Sequence, residues 1–224
     1  SEWLGSARAS MVAPVAPAAE TARTSSAEDT HLRFIDSVDA ARDSNRAANL
    51  RYALHQCRQD AKTGSPLEFQ NLQRWQEIIL RGLCTPNPGI VFRKHDAYAK
   101  HGRERYPLES NTESKFKELL AQANSAEPLA LRAARAYLDV CFFHPFDDCN
   151  SRMARLVVDF LLTREGYTLG TFEPIFLFAR SARDAEGANR LAEQLQQLMV
   201  KVSAEWEKPL ANWIDGHPDP SFEM

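Results

Sequence analysis

Between the apolar runs AYLDVCFF and LVVDFLL the sequence places HPFDDCNSRMAR, residues 144 to 155. An imidazole, two carboxylates, a thiol, a carboxamide and two guanidiniums crowd into this stretch. His144 titrates near neutrality, which suits it to take a proton from an attacking hydroxyl. Asp148, Asn150 and Ser151 are residue types that cap a helix start, where the first N–H groups have no backbone acceptor. Free amides backed by Arg152 and Arg155, one turn apart, make an anion site, and two guanidinium forks reach successive phosphates of a polyphosphate. Asp148 is then placed to offer a hard oxygen to Mg²⁺ bridging those phosphates. Phe146 reads as the apolar anchor of the loop. On residue chemistry alone a structural account stands level with this one. Capping explains Asp148, Asn150 and Ser151, and Arg155 with Asp159 at i, i+4 makes a helix-surface ion pair.

Cys149 raises a separate possibility, because a thiol at a helix start beside a histidine can be acidified into a nucleophile. Nothing around it suggests acyl transfer, so a small residue filling a tight turn is the simpler account.

These groups must be held by helices. After the loop, Met153, Leu156, Val157, Phe160 and Leu161 recur at helical spacing and predict a buried stripe, with Arg152, Arg155, Asp159 and Thr163 on another face. Helices are expected over 128–143, over 151–165 with Gly166 as the stop, and over 184–206. Ser110 with Glu113 suggests a capping box for a helix carrying Phe116, Leu119 and Leu120. GIVFRKHDAYAKHGRERYPLE, after the CTPNPG loop, is the one region read as strand, a small hairpin flap. The expected fold class is all-α with one β-hairpin flap.

Bulk properties narrow the partners. With 27 basic against 30 acidic residues and a pI near 6.1, the chain has no general affinity for polyanions, so a nucleic-acid partner is not expected. Its apolar runs fall short of the roughly 20 residues a spanning helix needs. Cys57, Cys84, Cys141 and Cys149 show no metal-ligand spacing and read as reduced cytosolic thiols. Residues 1–28, rich in Ala, Pro and Ser and lacking a signal-peptide core, are expected to form a flexible tail, 29–208 the folded domain and 209–224 a second tail.

The 144–155 stretch resembles the Fic family signature HPFx(D/E)GNGRxxR. It agrees at His144, Pro145, Phe146, Asp148, Asn150, Arg152 and Arg155, and departs at Cys149 and Ser151, where the family usually has glycines. The resemblance extends over about residues 31 to 205. It implies a Fic-like helical bundle that transfers AMP, or another nucleoside monophosphate, from ATP or another NTP with Mg²⁺ to a protein hydroxyl. In that picture His144 is the base and Asp148 binds Mg²⁺. Asn150 and the loop amides, with Cys149, Ser151 and Phe146 shaping the loop, hold the α-phosphate. Arg152 and Arg155 grip the outer phosphates, and the flap near residues 90–107 registers a target protein by strand addition. The two lost glycines reshape the cradle.

Phosphoryl transfer ranks second, because the lysine typical of a kinase-like branch is absent at Ser151. A phosphocholine transferase, an enzyme acting on small molecules and a non-catalytic nucleotide-binding regulator are further alternatives. Many family members carry a helix with (S/T)xxxE(G/N), whose glutamate pairs with the second motif arginine. SVDAARDSNR has no glutamate at the required place. The brake is then either absent or supplied by an antitoxin-like partner, with Asp39 or Asp43 as a shortened substitute ranked last. A bacterial cytoplasmic setting, with delivery as an effector an option, completes the expectation.

Overall fold

The computed structural model describes residues 3, 7–15, 28–83, 91–99, 102, 104–178 and 180–217. Asp29 opens α1 (Thr30–Phe34) by accepting the Leu32 N–H. A π-helical turn, Ile35–Asp39, leads into α2 (Ala40–Arg42). Asp43 then caps α3 (Ser44–Lys62) by accepting the Arg46 N–H. A reciprocal capping box between Glu68 and Asn71 starts α4 (Phe69–Leu80). β1 (Ala97–Ala99) and β2 (Glu104–Tyr106) pair antiparallel, Tyr98 opposite Arg105, and form the expected flap; Ile90 lies outside the described residues. The chain continues through α5 (Thr112–Ala121), α6 (Leu129–Phe143), α7 (Asn150–Arg164), β3 (Tyr167–Leu169), α8 (Glu173–Phe176), α9 (Ala185–Leu198), β4 (Met199–Lys201) and α10 (Lys208–Gly216).

The centre of the bundle is α7, packed against α3, α4 and α6. Its apolar stripe is buried as expected, but so is the middle of the polar face: Arg155 and Asp159 are 6% and 2% exposed. The anticipated Arg155 to Asp159 surface pair does not form. Asp159 instead meets Arg58 of α3 at 2.9 and 3.0 Å and His31 of α1 at 2.9 Å, while Asp29 takes the rest of the Arg58 guanidinium. Where its middle is enclosed, α7 turns its polar residues toward neighbouring helices, and burial of those charges is tolerable only when they are paired.

Other expectations need correction. A second two-stranded sheet exists, β3 with β4, Thr168 opposite Val200. The long helix expected over 184–206 therefore stops at Leu198, where Met199 turns extended to pair with Leu169. Ser110 does not cap α5; Thr112 Oγ1 instead accepts the Glu109 N–H across the helix start. Residues 209–216, expected within a tail, continue the helix α10, with Leu210 buried.

The opening segment is also packed where it is described. Trp3, Ala7 and Met11 are buried, Trp3 lies 5.0 Å from the Phe142 ring, and its indole N–H donates to Asp139 at 2.7 Å. Arg8 clamps the same carboxylate through Nε at 2.8 Å and Nη2 at 3.0 Å. Composition misleads here because a single tryptophan brings enough apolar area, and a buried acid enough attraction, to anchor a chain that is otherwise small and polar.

Candidate active site

The polar stretch lies between the end of α6 and the start of α7. His144 closes α6 in a left-handed conformation, φ 48° and ψ 63°. Its Nδ1 is 2.7 Å from the Cys141 carbonyl, so the proton sits there and Nε2 keeps its lone pair. The imidazole is half-buried and lies parallel to the Tyr106 ring, centroids 4.3 Å apart at 10°. Desolvation, helped by the nearby Arg93 guanidinium, lowers its pKa below the usual histidine value despite the Cys141 carbonyl and Glu104. A neutral imidazole with a fixed tautomer is the form a base requires.

Phe146 is buried and stacks on Phe69 of α4, 5.7 Å apart at 11°, which anchors the loop as expected. Asn150 closes the loop: its Oδ1 accepts the Phe146 N–H at 3.0 Å and its Nδ2 donates to the Phe146 carbonyl at 2.7 Å. The N-cap of α7 is Cys149, at φ 61°, rather than any of the three residues expected there. A left-handed residue at this position is what the family's usual glycine would supply without strain. The Cys149 thiol is buried and faces Arg152 at 3.4 Å and Arg46 at 3.8 Å. Burial, then Asp148, pushes its pKa up, so it is not an activated nucleophile.

Asp148 accepts the Cys149 N–H at 2.6 Å on Oδ1 and Arg46 Nη1 at 3.0 Å on Oδ2. Burial alone would raise this carboxyl, but the amide and the guanidinium outweigh it and hold the pKa low. Gln76 of α4, itself buried, steadies the turn by donating to the Asp148 carbonyl at 2.9 Å. Ser151 is exposed, beside the free first-turn amides of α7.

Both motif arginines converge on Asp39, at the end of the π-helical turn. Arg155 Nη1 and Nη2 lie 2.7 and 3.0 Å from its two oxygens, and Arg152 Nε lies 3.3 Å from Oδ1. Asp39 is 3% exposed; burial would raise its pKa, and the two arginines reverse that and lower it. The carboxylate ranked last among sequence candidates is thus the one that reaches the second arginine. Its place on a π-helical turn, which no simple periodicity indicates, brings it there.

The structure sets Asp39 against Arg152 and Arg155, Arg46 and Gln76 against Asp148, and Arg93 and Tyr106 against His144; of these, Arg46, Gln76, Arg93 and Tyr106 were not among the expected site residues. Arg46 is 102 residues from Asp148, and nothing in its neighbourhood of the sequence marks it. β2, the start of α5, the end of α6 and Trp3 line a cavity of about 520 Å³, with Tyr106 among its lining residues. Of the described cysteines, Cys57, Cys141 and Cys149 are free, and Cys84 lies outside the described residues. No helix among the described residues is long and apolar enough to cross a membrane.

Residues 66–162 match the model of the Fic/DOC family. Among solved structures, the chain is similar to IbpAFic2, crystallised covalently tethered to Cdc42, at 17% identity and a TM-score of 0.56, covering 81% of this chain and 65% of that one. A Fic domain containing signaling protein from Bacteroides thetaiotaomicron VPI-5482 aligns at 19% identity and a TM-score of 0.48, over 73% of this chain and 63% of that one. The chain thus spans less than two thirds of the length of either of these proteins. No curated protein matches it. The left-handed histidine, the loop and the paired arginines lie within residues 66–162, the part of the chain that matches the Fic/DOC family model, and the mostly helical fold is shared with IbpAFic2.

Proposed function

We propose that the protein is a nucleotidyltransferase that moves AMP, or another nucleoside monophosphate, from a nucleoside triphosphate to a hydroxyl of a target protein. The observation that carries this reading is the grip of Arg155 and Arg152 on one carboxylate at the start of α7. Two guanidiniums already aimed at an internal anion, beside a helix start, are the arrangement a polyphosphate needs, and Asp39 stands in its place.

His144 Nε2 takes the proton of the target hydroxyl. The hydroxyl oxygen then forms a bond to the α-phosphorus, the bond from that phosphorus to the bridging oxygen breaks, and pyrophosphate leaves. Arg152 and Arg155 stabilise the charge that gathers on the departing phosphates. Asn150 keeps the loop closed so that the amides stay aligned. Asp148 suits Mg²⁺ in the mode where one carboxylate and the substrate phosphates supply most protein-side and ligand oxygens. It is half-exposed, and among the described residues no third acidic, histidine or cysteine side chain joins it. The metal, when bound, would neutralise phosphate charge.

The target would add to the flap, where Tyr98 is 60% exposed. A cytoplasmic setting, and an antitoxin-like partner acting on the same arginines, fit this reading. Incubation with α-labelled ATP and candidate targets, with His144→Ala alongside, tests it. Label in the wild type and none in the variant is the expected result; equal labelling removes His144 from the chemistry.

A further inference from the structure

We propose that the flap is also the scaffold of the catalytic base, with Tyr106 and Arg93 as positioning residues that fix the plane and tautomer of His144. This rests on the assignment of His144 as base. Left-handed backbone is unfavourable for a histidine and persists only where its surroundings over-determine it. Arg93 supplies that constraint. It is 3% exposed, and its Nε donates to the His144 carbonyl at 2.8 Å and the Phe143 carbonyl at 3.3 Å. Its Nη2 donates to Phe143 at 3.2 Å and to Pro107 at 3.1 Å, and its Nη1 to the His95 carbonyl. The backbone N–H of the same residue donates to the Pro145 carbonyl at 2.9 Å. One guanidinium thus gathers the orphan carbonyls at the end of α6 and both arms of the flap.

Tyr106 fixes the remaining freedom. A histidine whose Nδ1–H is tied to the Cys141 carbonyl can still tilt about that bond, and the parallel Tyr106 ring at 4.3 Å removes the tilt. The tyrosine is held in turn: it pairs with Ala97 across the hairpin and its hydroxyl donates to Glu104 at 2.8 Å. In hydrolase triads a carboxylate orients the base; here an aromatic face and a backbone carbonyl do so. A target that docks on the flap would act on the element that sets the base. The charged and titratable groups facing the imidazole are Arg93, Glu104 and Tyr106 from the flap side; from α6 it meets the Cys141 backbone carbonyl.

Tyr106 is half-buried on a two-stranded hairpin, so its replacement leaves the helical core intact. Wild type, Tyr106→Phe and Tyr106→Leu are compared for kcat, nucleotide Kd and the ¹⁵N shifts of His144 through a pH titration. Tyr106→Phe keeps the stacked face and should match wild type. Tyr106→Leu should lower kcat about 10- to 100-fold at unchanged Kd, and its ¹⁵N shifts should move from a single Nδ1–H tautomer toward a mixture. Wild-type shifts and kcat in Tyr106→Leu would overturn the proposal. The ¹⁵N signature is independent of turnover. A shifted tautomer together with activity that survives His144→Ala would leave the positioning intact and refute the base assignment instead.

Discussion

Asp39 holds Arg155 end-on, one oxygen to each terminal nitrogen at 2.7 and 3.0 Å, across 116 residues of sequence. A carboxylate there competes directly with any phosphate for the same fork. In Asp39→Ala the arginines are freed, and ATP affinity measured by calorimetry should rise about 5- to 150-fold, the usual range for coupling of 1 to 3 kcal/mol. The variant leaves the Arg155 charge buried and unpaired, so without nucleotide it should melt lower, and saturating ATP should recover most of that loss. Unchanged affinity would show that Asp39 is not in the nucleotide's place.

The acidic limb of activity should lie below pH 6.5. In the proposed mechanism the base works as neutral imidazole, and burial lowers the His144 pKa from 6.5. The midpoint of the acidic limb should therefore fall below 6.5, as the imidazole gains its proton. A kcat/KM midpoint above 6.5 would contradict the environment described for His144.

Arg46 Nη1 lies 3.0 Å from Oδ2 of Asp148, so under the proposed role of Asp148 it would compete with Mg²⁺ for that oxygen. The pair is partly exposed, 31% and 54% for the two side chains, and such pairs contribute about 0 to 1 kcal/mol. Arg46→Ala should lower the half-saturating Mg²⁺ concentration by no more than about 5-fold, while Asp148→Ala should raise it steeply. A rise in Arg46→Ala would mean that the arginine assists metal or phosphate binding.

The centre of the bundle depends on Arg58, which pairs with both Asp159 and Asp29 and lies 4.0 Å from the Trp206 ring. Arg58→Ala leaves two buried carboxylates without their cation, at a cost of about 3 to 5 kcal/mol. For a domain of this size that corresponds to a fall in Tm of roughly 10 °C by calorimetry. A fall of only a degree or two would show that water reaches Asp159 in place of the guanidinium.

Much of this protein follows from local order along the chain. Helical spacing of apolar residues located α6 and α7, since burial of one stripe imposes a period near 3.6 residues. The polar stretch 144–155 stood out because the proposed cradle draws its amides, forks and base from immediately successive residues. Contacts between distant segments left no such trace. Asp39 reaches Arg155 through a π-helical turn, Arg46 reaches Asp148 from another helix, Tyr106 lies on His144 only once the flap folds over, and Trp3 finds Asp139 from the far end of the chain. Local sequence sets which groups are available and the period of each helix. Only packing decides which charge neutralises which, because a buried ion takes the nearest partner in space, however far away that partner lies in the sequence.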